Sequence, residues 1–411
     1  MTKVKKLFEN SCYWLTILMP ISIILGKVVA DINLTIVAIL FTVLSLIRKD
    51  FKPFQERWFL IALTLWTYLL ARSIFSQDII LALKKVVPFI RLPLFALCLQ
   101  TLISKKDTVH KKILYSLMIV VSFLVIDGYI QYFFGKDLFG HSIVYTDNFF
   151  RLTGPFSKQF LGAYVSILSM PLLAISIYFI SKKERTLYSI LFLVLTYLIV
   201  FLSGERSPLL QTTIGLIGIT CVLATRNKKL LILFPILGLL ILVIMYTFGF
   251  QQVINRQFFS TLHTLNHYSE SPYGKLWNAG IKIGLENLLF GVGPMHFHMH
   301  CETITDFCRS HPHNIYIEFL SETGIIGLSL FVYLFYEIIR DFLVNNKKGQ
   351  DQFIKALALG IMVAIIIRLL PMPSSGFFKN WYAVQSWFMI GWLLSLGKSR
   401  HNIKNMYNCN S

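Results

Sequence analysis

Twelve apolar stretches, each bounded by polar or charged breaks, recur along the chain at about 12–30, 31–47, 58–75, 79–103, 113–134, 158–180, 186–203, 207–224, 229–250, 314–340, 352–370 and 380–397. Each approaches the ~20 residues a helix needs to cross a bilayer, where backbone polar groups must find partners within the segment. The chain therefore reads as an all-α integral membrane protein with about twelve transmembrane helices. Composition agrees: 55% of the 411 residues are apolar and 14% charged, against roughly 25% charge in a soluble domain. So little charge cannot cover a water-facing surface, which excludes cytosolic enzymes, nucleic-acid binders and disulfide-rich secreted domains. The net charge of +19 alone would point to a polyanion. The first apolar run lacks a small-x-small cleavage site and is expected to remain as a span.

Basic residues in the connections set the orientation. Lys and Arg number 24 across the N-terminus, alternate loops and C-terminus, and nine in the opposite loops, which include the longest connection. Both termini are thus expected to be cytoplasmic. Three portions follow: nine membrane helices over 1–250, a loop domain on the outer face over 251–313, and three membrane helices with a cytoplasmic tail over 314–411. The 63-residue loop is long enough to carry function. It reads as an amphipathic helix near 251–264, a Ser271-Pro272-Tyr273-Gly274 turn, a second helix near 275–289 and a Gly291-Val292-Gly293-Pro294 break. Residues 135–157 form a smaller outer loop.

Basic residues within spans need a reason, because burying one is costly. Lys27 and Arg72 suit snorkelling to headgroups. Lys84, Lys85 and Arg91 lie within eight residues of one another, interrupted by Pro88, with Pro93 just beyond, and suggest an internal anion pocket. Next comes the tight turn Ser203-Gly204-Glu205-Arg206-Ser207-Pro208. With Ser207 as N-cap and Pro208 at the first helical position, a helix would begin beside Arg206 and offer free N–H groups to a phosphate; an ordinary capped turn with a Glu205–Arg206 pair is the simpler alternative. Third, Asn314, Glu318 and Glu322 recur at i, i+4 and i+8 on one helical face, with His313 at its tip. His313 suits a base acting on a sugar hydroxyl, and a structural polar zipper is the alternative. His296, His298 and His300 alternate in a way that suits a metal, although no neighbouring ligands complete a shell. Cys301 and Cys308 are expected to close a small disulfide loop.

Several of these motifs together resemble a known family. The Gly-x-Arg turn, a large outer loop between helices nine and ten, and the loop exit His313-Asn314-Ile315-Tyr316 followed by Glu322-Thr323-Gly324-Ile325-Ile326-Gly327 resemble the O-antigen ligase and polymerase superfamily of Gram-negative inner membranes. The run Asn287-Leu288-Leu289-Phe290-Gly291-Val292-Gly293-Pro294 is similar to that family's "NPLFGVGP" element. The helix count and loop placement look more like the ligase than the polymerase. The resemblance implies a GT-C-like, inverting glycosyltransferase that uses neither metal nor other cofactor. It would move a glycan from undecaprenyl diphosphate to lipid A-core at the periplasmic face, so its partners would be those two substrates and the surrounding membrane lipids. Carried over by motif, Arg206 would hold the donor diphosphate and His313 would activate the acceptor hydroxyl, oriented by Glu318 or Glu322. Family members usually carry a second arginine in the large loop. Lys275 stands near that place here, and Arg256 and Arg309 are the alternatives. Two other readings remain: a repeat-unit polymerase, and a transporter or flippase for the lipid-linked glycan.

Overall fold

The computed structural model describes residues 2–398 apart from 147–148, scattered positions between 226 and 250, 346–350, 373–375 and 378–379. The expected span at 229–250 and the C-terminal tail from 399 onward lie largely or wholly outside the described residues. Helices occupy the other apolar runs: α1 (Thr2–Ile17), α2 (Met19–Leu25), α3 (Lys27–Arg48), α4 (Arg57–Ile74), α5 (Ile79–Val86), α6 (Arg91–Leu102), α7 (Asp107–Phe134), α8 (Leu161–Leu168), α9 (Met170–Lys182), α10 (Thr186–Leu202) and α11 (Arg206–Ala224). After the loop come the long helix Ile315–Asn345, then Gln352–Arg368 and Asn380–Lys398. Among the described residues five helices are long and apolar enough to cross a membrane, or seven if each of two bent pairs is one span. The bends have a chemical cause. Pro20 and Pro171 open the second member of each pair, where the ring obstructs the carbonyl four residues back, and the axes turn by 55° and 50°. Pro88 likewise replaces one continuous helix at 79–103 with α5, a 3-10 turn at Val87–Ile90, and α6.

The chain divides into two compact units, Met1–Ile113 with His267–Gln350 and Leu369–Ser411, and Leu114–Asn266 with Asp351–Arg368. In the first, Asn380–Lys398 packs on α6 and α3. Trp387, Phe388, Trp392 and Phe95 fill that core, and a Cβ on Gly391 would come within 2.9 Å of Ala96 Cα. In the second, Gln352–Arg368 packs on α9, where a Cβ on Gly360 would meet Met170 O at 2.6 Å. Small residues at such crossings let helix backbones approach without a hydrophobic drive between them.

The segment 135–157, expected as a plain loop, contains a two-stranded antiparallel ribbon, β1 (Val144–Thr146) with β2 (Phe149–Arg151). Buried Gln131 of α7 anchors its far end. Its Oε1 accepts the N–H groups of Thr153 and Gly154, both at 2.9 Å, which fixes where Arg151 leaves the ribbon.

Candidate functional site

In the second unit the site is built on the turn 203–206. Gly204 adopts φ 74°, and a Cβ there would lie 2.7 Å from Phe150 O and 3.3 Å from Arg151 Cγ. The Leu152 N–H donates to Ser203 O at 3.2 Å. Glycine at 204 is thus required both by the left-handed backbone and by the ribbon lying against it. The helix begins at Arg206 itself with Glu205 in the capping position, earlier than the Ser207 cap expected. Pro208 then falls inside the first turn, where its missing N–H costs nothing. Glu205 and Arg206 diverge: Glu205 Oε1 accepts the Gly162 N–H at 2.7 Å, at the start of α8. Arg206 Nη1 donates to Ser260 O (3.2 Å) and Thr264 Oγ1 (3.0 Å).

Three more arginines gather in this unit. The Arg256 guanidinium lies 3.9 Å above the Phe149 ring, and that of Arg151 lies 5.8 Å from the same ring. Arg151 Nε is buried with no hydrogen-bond acceptor among the described residues. Arg368, at the end of Gln352–Arg368, is 5% exposed and acts with Arg151 on Glu205. Burial pushes the Glu205 carboxyl up to about 8, even though the Gly162 and Ala163 N–H groups and both arginines favour its ionised form. A cluster with this excess of guanidinium over carboxylate is suited to an anion with several oxygens.

In the first unit, His313 is half-buried with φ 58°, a left-handed conformation that is strained for a residue with a Cβ. Its ring stands 4.1 Å from that of His311 and 5.8 Å from that of Tyr273. Asn314 caps the long helix, accepting the N–H groups of Tyr316 (3.0 Å) and Ile317 (3.3 Å) through Oδ1. Glu318 accepts the Phe377 N–H at 2.8 Å, and a Cβ on Gly376 would meet Glu318 Oε1 at 2.8 Å and His311 Cδ2 at 3.1 Å. Glu322 accepts the N–H groups of Met295 (2.8 Å) and Phe297 (3.3 Å). These carboxylates thus pin two backbone segments to the first turns of the long helix.

The two glycine motifs form a single clasp. Gly324 breaks the long helix at φ 67°, and a Cβ there would lie 2.3 Å from Leu289 O. Gly291, at φ 65°, would meet Glu322 C at the same 2.3 Å. The Val292 and Gly293 N–H groups donate to Ser321 O and Glu322 O, and the Ile325 N–H returns to Leu288 O. Arg72, expected to snorkel, instead donates to the carbonyls of Phe290 and Gly291 at 2.8 and 2.9 Å.

The remaining candidates are scattered. Lys275 does not follow a turn but lies in the first turn of a helix, Pro272–Glu286, because Ser271 caps it and proline takes the first position. It pairs with exposed Asp306 at 2.9 Å and holds that carboxyl below the usual range. Arg309 is exposed and stacks on Phe307 at 4.8 Å. Lys84 and Lys85 are exposed on α5, whereas Arg91 is ion-paired with Asp31. His296 is fully buried: its Nε2 accepts the Asp78 N–H at 2.8 Å, so Nδ1 carries the proton and donates to Pro294 O at 2.7 Å. With both nitrogens committed it is no metal ligand, and among the described residues no three His, Cys, Asp or Glu side chains converge to hold a metal. Cys301 and Cys308 form a disulfide beside a small core of Leu276, Ala279, Ile283, Val292 and Phe297.

Sequence reasoning passed over Arg151, Arg368, Tyr273 and the Gly376-Phe377 segment. Two left a trace: Arg151 as a base in a connection that also holds aromatic residues, and Arg368 as a base inside the apolar run 352–370. Residues 190–332 match the family model described as O-Antigen ligase. The match runs from α10 to the middle of the long helix and includes Arg206, Arg256, Lys275 and His313, but not Arg151 or Arg368. No curated protein matches the chain.

Proposed function

We propose that this protein, whose residues 190–332 match the O-antigen ligase family model, is a bacterial inverting glycosyltransferase of the inner membrane, GT-C-like, with about twelve spans. It transfers an O-antigen or related glycan from undecaprenyl diphosphate to lipid A-core at the periplasmic face, with both termini cytoplasmic and without a metal. The observation that carries this reading is the group of arginines built around the turn at Arg206. Arg151 and Arg256 share one aromatic ring, Arg151 overlies Gly204, and Arg368 acts on the adjoining Glu205. Guanidinium groups pair with phosphate oxygens in a fork and stabilise the charge that develops as the sugar–phosphate bond breaks, the task a divalent cation performs elsewhere.

In the reaction His313 takes the proton of an acceptor hydroxyl. That oxygen attacks the anomeric carbon, the bond from carbon to phosphate oxygen breaks on the opposite face, and the lipid diphosphate leaves with the electron pair. Arg256 supplies the second phosphate contact in place of Lys275, which is occupied by Asp306, and of Arg309. Asn314, Glu318 and Glu322 hold the backbone from which His313 projects.

Deleting the gene in its host tests the reading. Bare lipid A-core together with accumulated lipid-linked polymer is expected. Core bearing a single repeat would reassign the protein as a polymerase, and unchanged lipopolysaccharide would overturn both.

A further inference from the structure

Glu205 is the residue in the arginine cluster that the transfer reaction leaves without a task. Its carboxyl is held at the start of α8 by the Gly162 N–H, in a space so tight that a Cβ on Gly162 would meet Ser203 Oγ at 2.4 Å and Glu205 Oε1 at 3.0 Å. The neighbours that face it are cationic. Arg151 comes from β2, Arg368 from Gln352–Arg368, and Arg206 follows it in the chain. Arg256 reaches the ribbon through Phe149, and His263 is the histidine on the helix Ser260–Asn266 that receives Arg206. A carboxylate in this position competes with a bound anion for the same guanidiniums and repels it, whereas a carboxylic acid leaves them to the anion.

We infer that Glu205 is the proton-linked member of the donor site: the diphosphate binds with this carboxyl protonated, and where the solution leaves it ionised, binding draws the proton from solvent and release returns it, so that donor affinity is tied to its protonation. The inference rests on the donor-site reading above. It adds that the site is matched to the charge of its ligand by a proton rather than by a cation. The raised carboxyl supports this, since at neutral pH the acid form already predominates and only above about 8 does the competing carboxylate prevail.

The test uses the full chain in detergent and a polyprenyl diphosphate N-acetylglucosamine, whose two phosphates each carry one ester and one anhydride link, leaving a single strongly acidic oxygen apiece and a constant charge from pH 6 to 9. Titration calorimetry at pH 7 and 9 should show wild-type affinity falling by about tenfold, as expected for a ligand that binds only the protonated form of a group with pKa near 8. This window lies above the range of ordinary histidine. Glu205→Gln should bind as tightly as wild type at pH 7 and keep that affinity at pH 9. A wild type with no pH dependence, or a Glu205→Gln variant that retains the wild-type slope, would overturn the inference while leaving the donor site in place. A wild type that binds at neither pH would remove the donor site and the inference with it. If the Glu205→Gln substitution unsettles α8, the wild type alone decides. Titrations at pH 8 in two buffers of different ionisation enthalpy should report uptake of roughly half a proton per donor, and zero uptake would be fatal.

Discussion

At His313 a left-handed backbone, φ 58°, carries a side chain tilted against His311 and edge-on to Tyr273. Strain of this kind costs of order 1 kcal/mol and is tolerated where the residue has work to do. Replacing His313 with Gly should therefore raise thermal stability slightly while abolishing glycan transfer, a combination that a merely structural histidine would not give. A melting curve and a transfer assay on the same preparation check both halves. Arg151→Ala should weaken donor binding by about tenfold or more, the scale of one lost charged hydrogen bond, with little change in the folded ribbon, and calorimetry would report it. Glu205 makes a stability prediction of its own. Its folded-state pKa of about 8 stands above the ordinary 4.5, so the folded protein keeps a proton that the unfolded chain gives up. The melting temperature should therefore fall as pH rises from about 4.5 towards 8, and Glu205→Gln should flatten that fall. His313 and Arg206 were legible in the sequence because a histidine at a loop exit and an arginine in a glycine turn are rare beside apolar runs. Arg151 was not, and Arg368 showed only as a base inside an apolar run, since what makes both notable is proximity to Glu205, and proximity is created by folding.

At the scale of elements, the clasp between Gly291 and Gly324 explains two motifs that look independent along the chain. Backbone stands where either Cβ would go, at 2.3 Å in both cases. Gly324→Ala should accordingly cost several kcal/mol, well above the ~1 kcal/mol of an ordinary glycine in the left-handed region. Loss of the folded fraction in a fluorescence size-exclusion trace checks this, and a monodisperse variant melting like wild type would show that the clasp yields. The disulfide is a lesser constraint. Closing a loop this short contributes about 2–3 kcal/mol, so replacing Cys301 and Cys308 with Ser should lower the melting temperature to the value wild type shows in reductant. The sequence pattern located most of these helices, because apolar runs of spanning length have few other solutions. It missed the breaks at Pro20, Pro171 and Gly324, and the ribbon at 144–151. Those depend on how far a neighbouring backbone can tolerate a kink, or on a partner strand a few residues away.

For the whole molecule, the asymmetry of Lys and Arg predicts that the loop 251–313 lies across the membrane from both termini. Cysteines introduced singly at Ser269 and Lys183 in a background without native cysteines test this with an impermeant maleimide on intact spheroplasts. Label at 269 and none at 183 is expected, and the reverse pattern would invert the topology. On the proposed reading transfer should also persist in EDTA, whereas loss of activity restored by zinc would mean that a cation takes part after all.

Whether His313 and the arginine turn perform glycan transfer is decided in a purified system. Wild-type protein, lipid-linked glycan and lipid A-core are combined, with His313→Gly and Arg206→Ala run in parallel, and the lipopolysaccharide is resolved on a gel. A ladder from wild type and none from either variant is expected, although both remain folded. A wild-type ladder from folded His313→Gly would contradict it.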